Sequence, residues 1–332
     1  MKIDIKKLDQ SSKLNILVIG DVMLDEYIVG KVTRISPEAP VPVVWIQKTF
    51  ERLGGSGNVA LNLKSLGVNT YLSCAIGKDH HGKKLYDLIK QHNITPCGIY
   101  EDENRPTTVK TRVIGNHNQQ LLRIDREDLS YIPFKKLTGL IDEYKKMHAH
   151  QPFDAIIFQD YNKGFLPEKF IGSVIDWAKN EKIFVSVDPK KENFFAYQHA
   201  DLFKPNLKEL LEAFNINTGE ENQFIEQLDN IVFKLKNKIA SKYNVITLSE
   251  KGIYMEHDGH SFISPATQRD VADVSGAGDT VIATITTALL CGYPPDECAK
   301  IANIAAGLVC IKPGVVPITK QELIAELKNL DE

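Results

Sequence analysis

Cysteine is scarce in this 332-residue chain. The five present, Cys74, Cys97, Cys291, Cys298 and Cys310, are odd in number and contain no Cys-x-x-Cys pair. That excludes a disulfide framework and a cysteine-rich zinc site, and most are read as buried thiols. A basic excess is also missing: 40 Lys and Arg face 43 Asp and Glu, for a net charge of −3. No nucleic-acid surface is expected from such a balance. Long apolar runs are absent from the N-terminus, where residues 1–10 are charged and polar and the apolar stretch 14–19 is too short for a signal core or a membrane span. Internal repeats and low-complexity linkers are lacking too. The expectation is a cytoplasmic protein with neither membrane nor nucleic-acid partner. What the chain does have is 43% hydrophobic and 25% charged residues, enough for a large core.

Short apolar runs alternate with helical patterns, as parallel α/β units require. Strands are expected at 14–20, 154–158, 183–188, 201–204 and 244–249. Helices are expected at 57–66, around 170–178, at 206–214, around 281–289 and at 297–309. Two stretches break the rhythm. Residues 25–46 show no helical period, and 106–125 alternate apolar with polar side chains, as a half-exposed antiparallel sheet would. Both are read as parts of a small sheet projecting from one domain.

Four motifs carry chemistry. Asp273-Val274-Ser275-Gly276-Ala277-Gly278-Asp279-Thr280 leads into an apolar helix. Small residues before a helix leave N–H groups free to face an anion, and the helix dipole favours negative charge there. Asp279 in that turn is a candidate general base; a plain acidic first turn is the alternative. Gly54-Gly55-Ser56-Gly57-Asn58 precedes an amphipathic helix, with Gly55 letting a ligand approach the backbone and Asn58 offering both donor and acceptor. Gly20-Asp21-Val22-Met23-Leu24-Asp25 follows the first strand, where ligands of open α/β sheets bind, and Asp25 is a candidate for holding hydroxyls. Pro205-Asn206-Leu207-Lys208-Glu209 puts Asn206 and Glu209 three apart on one helical face. That spacing suits water-mediated Mg²⁺ binding and a capping box equally.

In this order, 54–67 and 273–280 resemble the two signature segments of the ribokinase-like, phosphofructokinase-B-type sugar kinases, and Asn206-x-x-Glu209 resembles their Mg²⁺-associated motif. The resemblance runs from about 14 to 330. The segments 20–25 and 34–43, Lys110-Thr111-Arg112, Asn118-Gln119-Gln120-Leu121, Asp160-Tyr161-Asn162-Lys163-Gly164 and Asp188-Pro189-Lys190 look like the heptose-7-phosphate kinases of that family.

The resemblance implies a three-layer α/β/α sandwich with a mostly parallel sheet and a small β lid, in a single kinase domain over 12–330. A nucleotidyltransferase domain is not expected. It implies ATP as phosphoryl donor and transfer to the anomeric O1 of D-glycero-β-D-manno-heptose 7-phosphate, in the making of the ADP-heptose used for lipopolysaccharide core. Asp279 is then the catalytic base and Gly276, Ala277 and Gly278 the anion hole. Asp25, Gly55, Asn58, Lys110, Arg112, Asp160 and Lys163 bind the sugar phosphate, and Lys190, Asn206, Thr247, Ser249, Gly252 and Asn303 bind ATP. Asn206 and Glu209 hold Mg²⁺ largely through water, Asp273 holds a monovalent cation such as K⁺, and the lid pairs two copies into a homodimer. Kinases of fructose phosphate or ribose, and a silent sugar- or nucleotide-binding regulator, are the other readings.

Overall fold

The computed structural model describes residues 3–216, 221–267, 273–312, 314 and 316–329; the expected domain limit at 330 lies outside them. A 3-10 segment, Ile5–Lys13, leads into β1 (Asn15–Gly20). The hairpin β2 (Val22–Ile35) and β3 (Pro42–Gly55) follows, then α1 (Ser56–Ser65), β4 (Asn69–Gly77), α2 (His80–Gln91) and β5 (Thr95–Asp102). Next come β6 (Val109–Ile114), β7 (Gln120–Arg126), α3 (Phe134–His150), β8 (Ala155–Gln159), α4 (Glu168–Asn180) and β9 (Phe184–Asp188). The last part holds β10 (Leu202–Phe203), α5 (Leu207–Ala213), α6 (Glu221–Ile239), β11 (Tyr243–Thr247), β12 (Ile253–His257), β13 (His260–Ser264), α7 (Ala277–Leu290), α8 (Pro295–Cys310) and α9 (Lys320–Asn329).

The main sheet runs β13-β12-β11-β10-β9-β8-β1-β4-β5. Its seven strands from β11 to β5 are parallel; only β12 and β13 are antiparallel. Successive side chains of a strand point to opposite faces, and β1 divides accordingly. Ile16 and Val18 pack with α1, α7, α8 and α9, whereas Leu17 and Ile19 pack with α3 and α4. A strand covered on both faces must be apolar throughout, which is why the parallel strands read as unbroken hydrophobic runs. The architecture is therefore helix, sheet, helix. The five cysteines carry free thiols, four buried and Cys310 partly so. Among the described residues, no helix is long and apolar enough to cross a membrane.

The lid is a four-stranded sheet, β3-β2-β6-β7. Its hairpin reaches further than the segment 25–46 anticipated from the sequence, with Val22 paired to Gly55 at its base. The arm 47–55 was hidden because both faces of β3 carry mixed side chains. Lys48, Phe50 and Arg52 fall on one face and Thr49 and Glu51 on the other, so no period-2 hydrophobic signal arises.

Candidate active site

Five neighbouring parallel strands, β11, β10, β9, β8 and β1, end on the same edge of the sheet. The residues at those ends are Thr247, Lys204, Asp188, Gln159 with Tyr161, and Asp21. Open α/β sheets bind ligands at this edge, and α7 begins there. Gly276 caps α7 with φ 84° and ψ 0°, a left-handed conformation open to glycine, and no side chain occupies the cap. The turn thus presents first-turn N–H groups beside the positive end of the dipole, of which Ala277 N–H already makes a long bond, 3.3 Å, to the Val274 carbonyl.

Asp279, in the first turn of α7, is 5% exposed. Its Oδ2 accepts from Asn58 Nδ2 at 2.7 Å, and its Oδ1 accepts from Gln159 Nε2 at 3.1 Å and from the Tyr161 hydroxyl at 2.8 Å. Burial pushes its carboxyl up to about 6; the Asn58 hydrogen bond opposes this, the Asp188 charge adds to it, and Tyr161 and Lys204 oppose it further. Asn58 is itself aimed by Asn62, whose Nδ2 donates to Asn58 Oδ1 at 3.3 Å and to the Asn58 backbone carbonyl at 2.9 Å, while Thr280 Oγ1 donates to Asn62 Oδ1 at 3.0 Å. This chain of polar contacts fixes α1 against α7. Entry to α1 needs Gly55, whose φ is 60° and where a Cβ would stand 2.4 Å from the Asp21 carbonyl oxygen.

Gln159 Nε2 also donates to Asp188 Oδ2 at 3.0 Å, and the same oxygen meets Lys204 Nζ at 3.0 Å. Lys204 and Asp188 are both buried, and a Cβ on Gly278 would lie 3.7 Å from the Lys204 ammonium. A buried cation therefore stands at the glycine turn, a residue the sequence reading did not single out. Lys190 pairs with Glu209 and lies 5.5 Å from the Tyr161 ring centroid. Burial works against its charge, but Asp188 and Glu209 prevail and hold the ammonium above its ordinary range.

On the lid, directly paired residues share a face. Asp25 pairs with Lys110 and Arg52, Tyr27 with Arg112 and Phe50, and Lys110 with Asp125. The three cations expected to meet a phosphate each have an acidic partner: Arg112 Nη1 lies 2.6 Å from Asp25 Oδ1, Lys110 Nζ 3.5 Å from Asp125, and Lys163 Nζ 2.7 Å from Glu127. Arg112 also covers the Tyr27 ring, which stacks on Phe50 at 4.7 Å.

Other expected residues sit differently from a simple ligand shell. Asp160 is 1% exposed, and its carboxylate accepts from the Tyr197 hydroxyl at 2.7 Å, Asn193 Nδ2 at 3.3 Å and the Asn162 N–H at 2.8 Å. Burial, and then the Asp21 charge, pushes its carboxyl up to about 6. Asn206 and Glu209 form a complete capping box on α5: Asn206 Oδ1 accepts from the Glu209 N–H at 2.8 Å, and Glu209 Oε2 accepts from the Asn206 N–H at 2.9 Å. Asn206 is bridged to Thr247. Ser249 and Gly252 lie in the turn into β12, not in a strand, and Gly252 meets Asn303 at Ser264: Asn303 Nδ2 donates to the Ser264 carbonyl at 2.6 Å, and a Cβ on Gly252 would strike that same oxygen. Asp273 joins two loops by accepting from the N–H groups of Ser275 at 2.9 Å and Gly314 at 3.2 Å. Among the described residues no cluster of three or more His, Cys, Asp or Glu could hold a metal alone.

The model of the pfkB family of carbohydrate kinases matches residues 13–321. The bifunctional protein HldE of Methylobacillus flagellatus is 39% identical over 315 residues, 95% of this chain but 63% of the relative. The protein of that name from Campylobacter jejuni is 41% identical over 312 residues, 94% of this chain and 64% of its own. The chain thus spans just under two thirds of the curated relatives it matches. Phosphofructokinase-2 from Escherichia coli in complex with potassium superposes with a TM-score of 0.77 at 18% identity, covering 95% of this chain and 99% of that one. Ribokinase from Arabidopsis thaliana, complexed with ribose and ATP, gives 0.70 at 19%, with the same coverage. At these identities the two structures speak to the fold, which is ribokinase-like.

Proposed function

The chain belongs to the pfkB family of carbohydrate kinases, and from that premise we propose that it transfers the γ-phosphoryl group of ATP to the anomeric O1 of a heptose 7-phosphate. The observation that carries this reading is a buried carboxylate, Asp279, held by three donors directly beneath an uncapped glycine turn at the ligand edge of the sheet. Asp279 takes the proton of the acceptor hydroxyl as its oxygen attacks phosphorus, and the bond to the ADP oxygen breaks. The N–H groups of Gly276, Ala277 and Gly278 receive the charge on the transferred group. Catalysis by such a site is mostly positioning and charge stabilisation.

The sugar lies between sheet and lid, against Asp25, Gly55 and Asn58, and its phosphate draws Lys110, Arg112 and Lys163 from their acidic partners. A cationic set on the lid favours a phosphorylated acceptor over a neutral one. The identity with HldE proteins favours a heptose. Asp160 serves this site by shaping the 160–164 loop. ATP lies over Lys190, Asn206, Thr247, Ser249, Gly252 and Asn303.

Mg²⁺, when bound, neutralises the nucleotide phosphates. Asn206 and Glu209 would hold it through its waters, because their oxygens already serve the cap and Lys190; an ion that keeps several waters fits that arrangement. A monovalent cation at Asp273 would brace the 273–275 turn in the same way that its bond to Gly314 does. The register puts exposed Ile46, Leu122 and Ile124, at 53, 55 and 51%, on one face of the lid, with Trp45, at 67%, on the other. Apolar surface of that extent supports a homodimer through the lid. Free thiols suit a reducing compartment, the cytoplasm.

The test is Asp279→Asn. Its amide cannot accept the proton, and loss of a general base costs about 10²–10⁴-fold in rate. ATP and sugar phosphate should still bind, as read by calorimetry. Turnover comparable to wild type would remove Asp279 from the mechanism.

A further inference from the structure

Asp279 receives three protein donors, and they are unevenly placed. Oδ2 has Asn58 alone, whereas Oδ1 has both Gln159 and the Tyr161 hydroxyl. Tyr161 is not free to swing. The buried Asp21 carboxylate accepts from the N–H groups of Tyr161 at 2.9 Å, Lys163 at 3.0 Å and Phe165 at 3.2 Å, stapling the loop after β8 to the end of β1. Lys190 covers its ring from the side of β9. The phenol is thus a fixed donor aimed at one oxygen of the carboxylate.

We propose that Tyr161 is a positioning residue for the base: together with Gln159 it occupies Oδ1, so that the remaining lone pair of Oδ2, beside Asn58, is the one left to take the acceptor proton. This rests on the reading of Asp279 as base and deepens it. The groups facing Asp279 are Asp188 at the end of β9, Lys204 after β10, Lys190 after β9, Tyr161 after β8 and the neutral Asn58 on α1. Burial and Asp188 work against ionisation, while the Asn58 and Tyr161 hydrogen bonds and the Lys204 charge work for it. Burial and the charges of Asp279 and Asp188 hold the phenol well above its ordinary range, so it remains a donor at every working pH. A donor to the charged form favours that form, and its removal must raise the pH at which the base becomes available.

The experiment is kcat/KM for the acceptor against pH, from 5 to 9, in wild type, Tyr161→Phe and Asp279→Asn, with melting temperatures alongside. The phenylalanine deletes one oxygen and keeps the ring. Its acid limb should move up by about one pH unit, so that the ratio of wild type to variant is roughly tenfold at pH 5.5 and shrinks to a small constant remainder at pH 8.5. A loss equal at all pH, with or without a lower melting temperature, would assign Tyr161 to packing and overturn the proposal, as would an unmoved limb. Should Tyr161→Phe not fold, Gln159→Met removes the other Oδ1 donor and must move the limb in the same direction. An inactive Asp279→Asn with an unmoved limb in Tyr161→Phe defeats only this inference, whereas turnover in Asp279→Asn defeats the reading beneath it.

Discussion

Replacing Asp279 by Asn should make the protein more resistant to rising pH while it stops turnover. The carboxyl is raised from an ordinary 3.8 to about 6, chiefly by burial. A carboxyl raised on folding contributes stability that is fully present below its unfolded value and is lost as pH climbs through its folded one. Two pH units correspond to about 3 kcal/mol, lost by the wild type between about pH 4 and pH 6.5 and not by the variant. The substitution also sets an amide N–H₂ against the Asn58 donor, a mismatch of about 1–3 kcal/mol that does not depend on pH. The absolute difference at one pH is therefore ambiguous, but its slope is not. Asp21 and Asp160, also raised by burial, titrate in both proteins and cancel. With an unfolding entropy of about 2.1 cal/mol/K per residue, the pH-dependent part should appear as roughly 4 °C in melting temperature. Paired thermal scans from pH 3.5 to 8 measure it. A difference flat in pH would refute the claim that Asp279 is an ionised carboxylate held in a buried site.

Other perturbations separate roles that share residues. Asn206→Ala should lower stability by about 1 kcal/mol through the lost cap, and Glu209→Ala should raise the Mg²⁺ concentration for half-maximal rate; an unchanged Mg²⁺ titration in both would leave the capping box as their whole contribution. Arg112→Ala should cost roughly 10- to 150-fold in kcat/KM for a phosphorylated sugar and much less for its unphosphorylated form; equal losses would take Arg112 away from the phosphate. Gly55→Ala puts a Cβ 2.4 Å from the Asp21 carbonyl at a positive φ, so it should yield little folded protein, and a normal melting curve would contradict the described turn.

The parallel layers were legible because strands buried on both faces are apolar without interruption, as at 14–20 and 183–188. Asp279 was legible because a carboxylate among small residues ahead of an apolar helix is chemically conspicuous. Its partners were not. Asn58 and Tyr161 lie 221 and 118 positions away in the chain, and nothing local in either marks the pairing. Gln159 follows one run read as a strand and Asp188 and Lys204 close two others, so attention to the end of each run would have gathered all three. Asp21 was passed over for Asp25, although its carboxylate is the one that staples the loop carrying Tyr161 and Lys163. The pair Asn206 and Glu209 was ambiguous for a physical reason: a capping box and a water-mediated metal contact need the same spacing, and only geometry distinguishes them.

The most direct measurement is ADP release with heptose 7-phosphate, free heptose, fructose 6-phosphate and ribose side by side, with the phosphorylated position of the product read by ³¹P NMR. The highest kcat/KM is expected for heptose 7-phosphate, with a new phosphate on the anomeric carbon. A higher kcat/KM for ribose or another neutral sugar, or a phosphate placed elsewhere on the heptose, would contradict it.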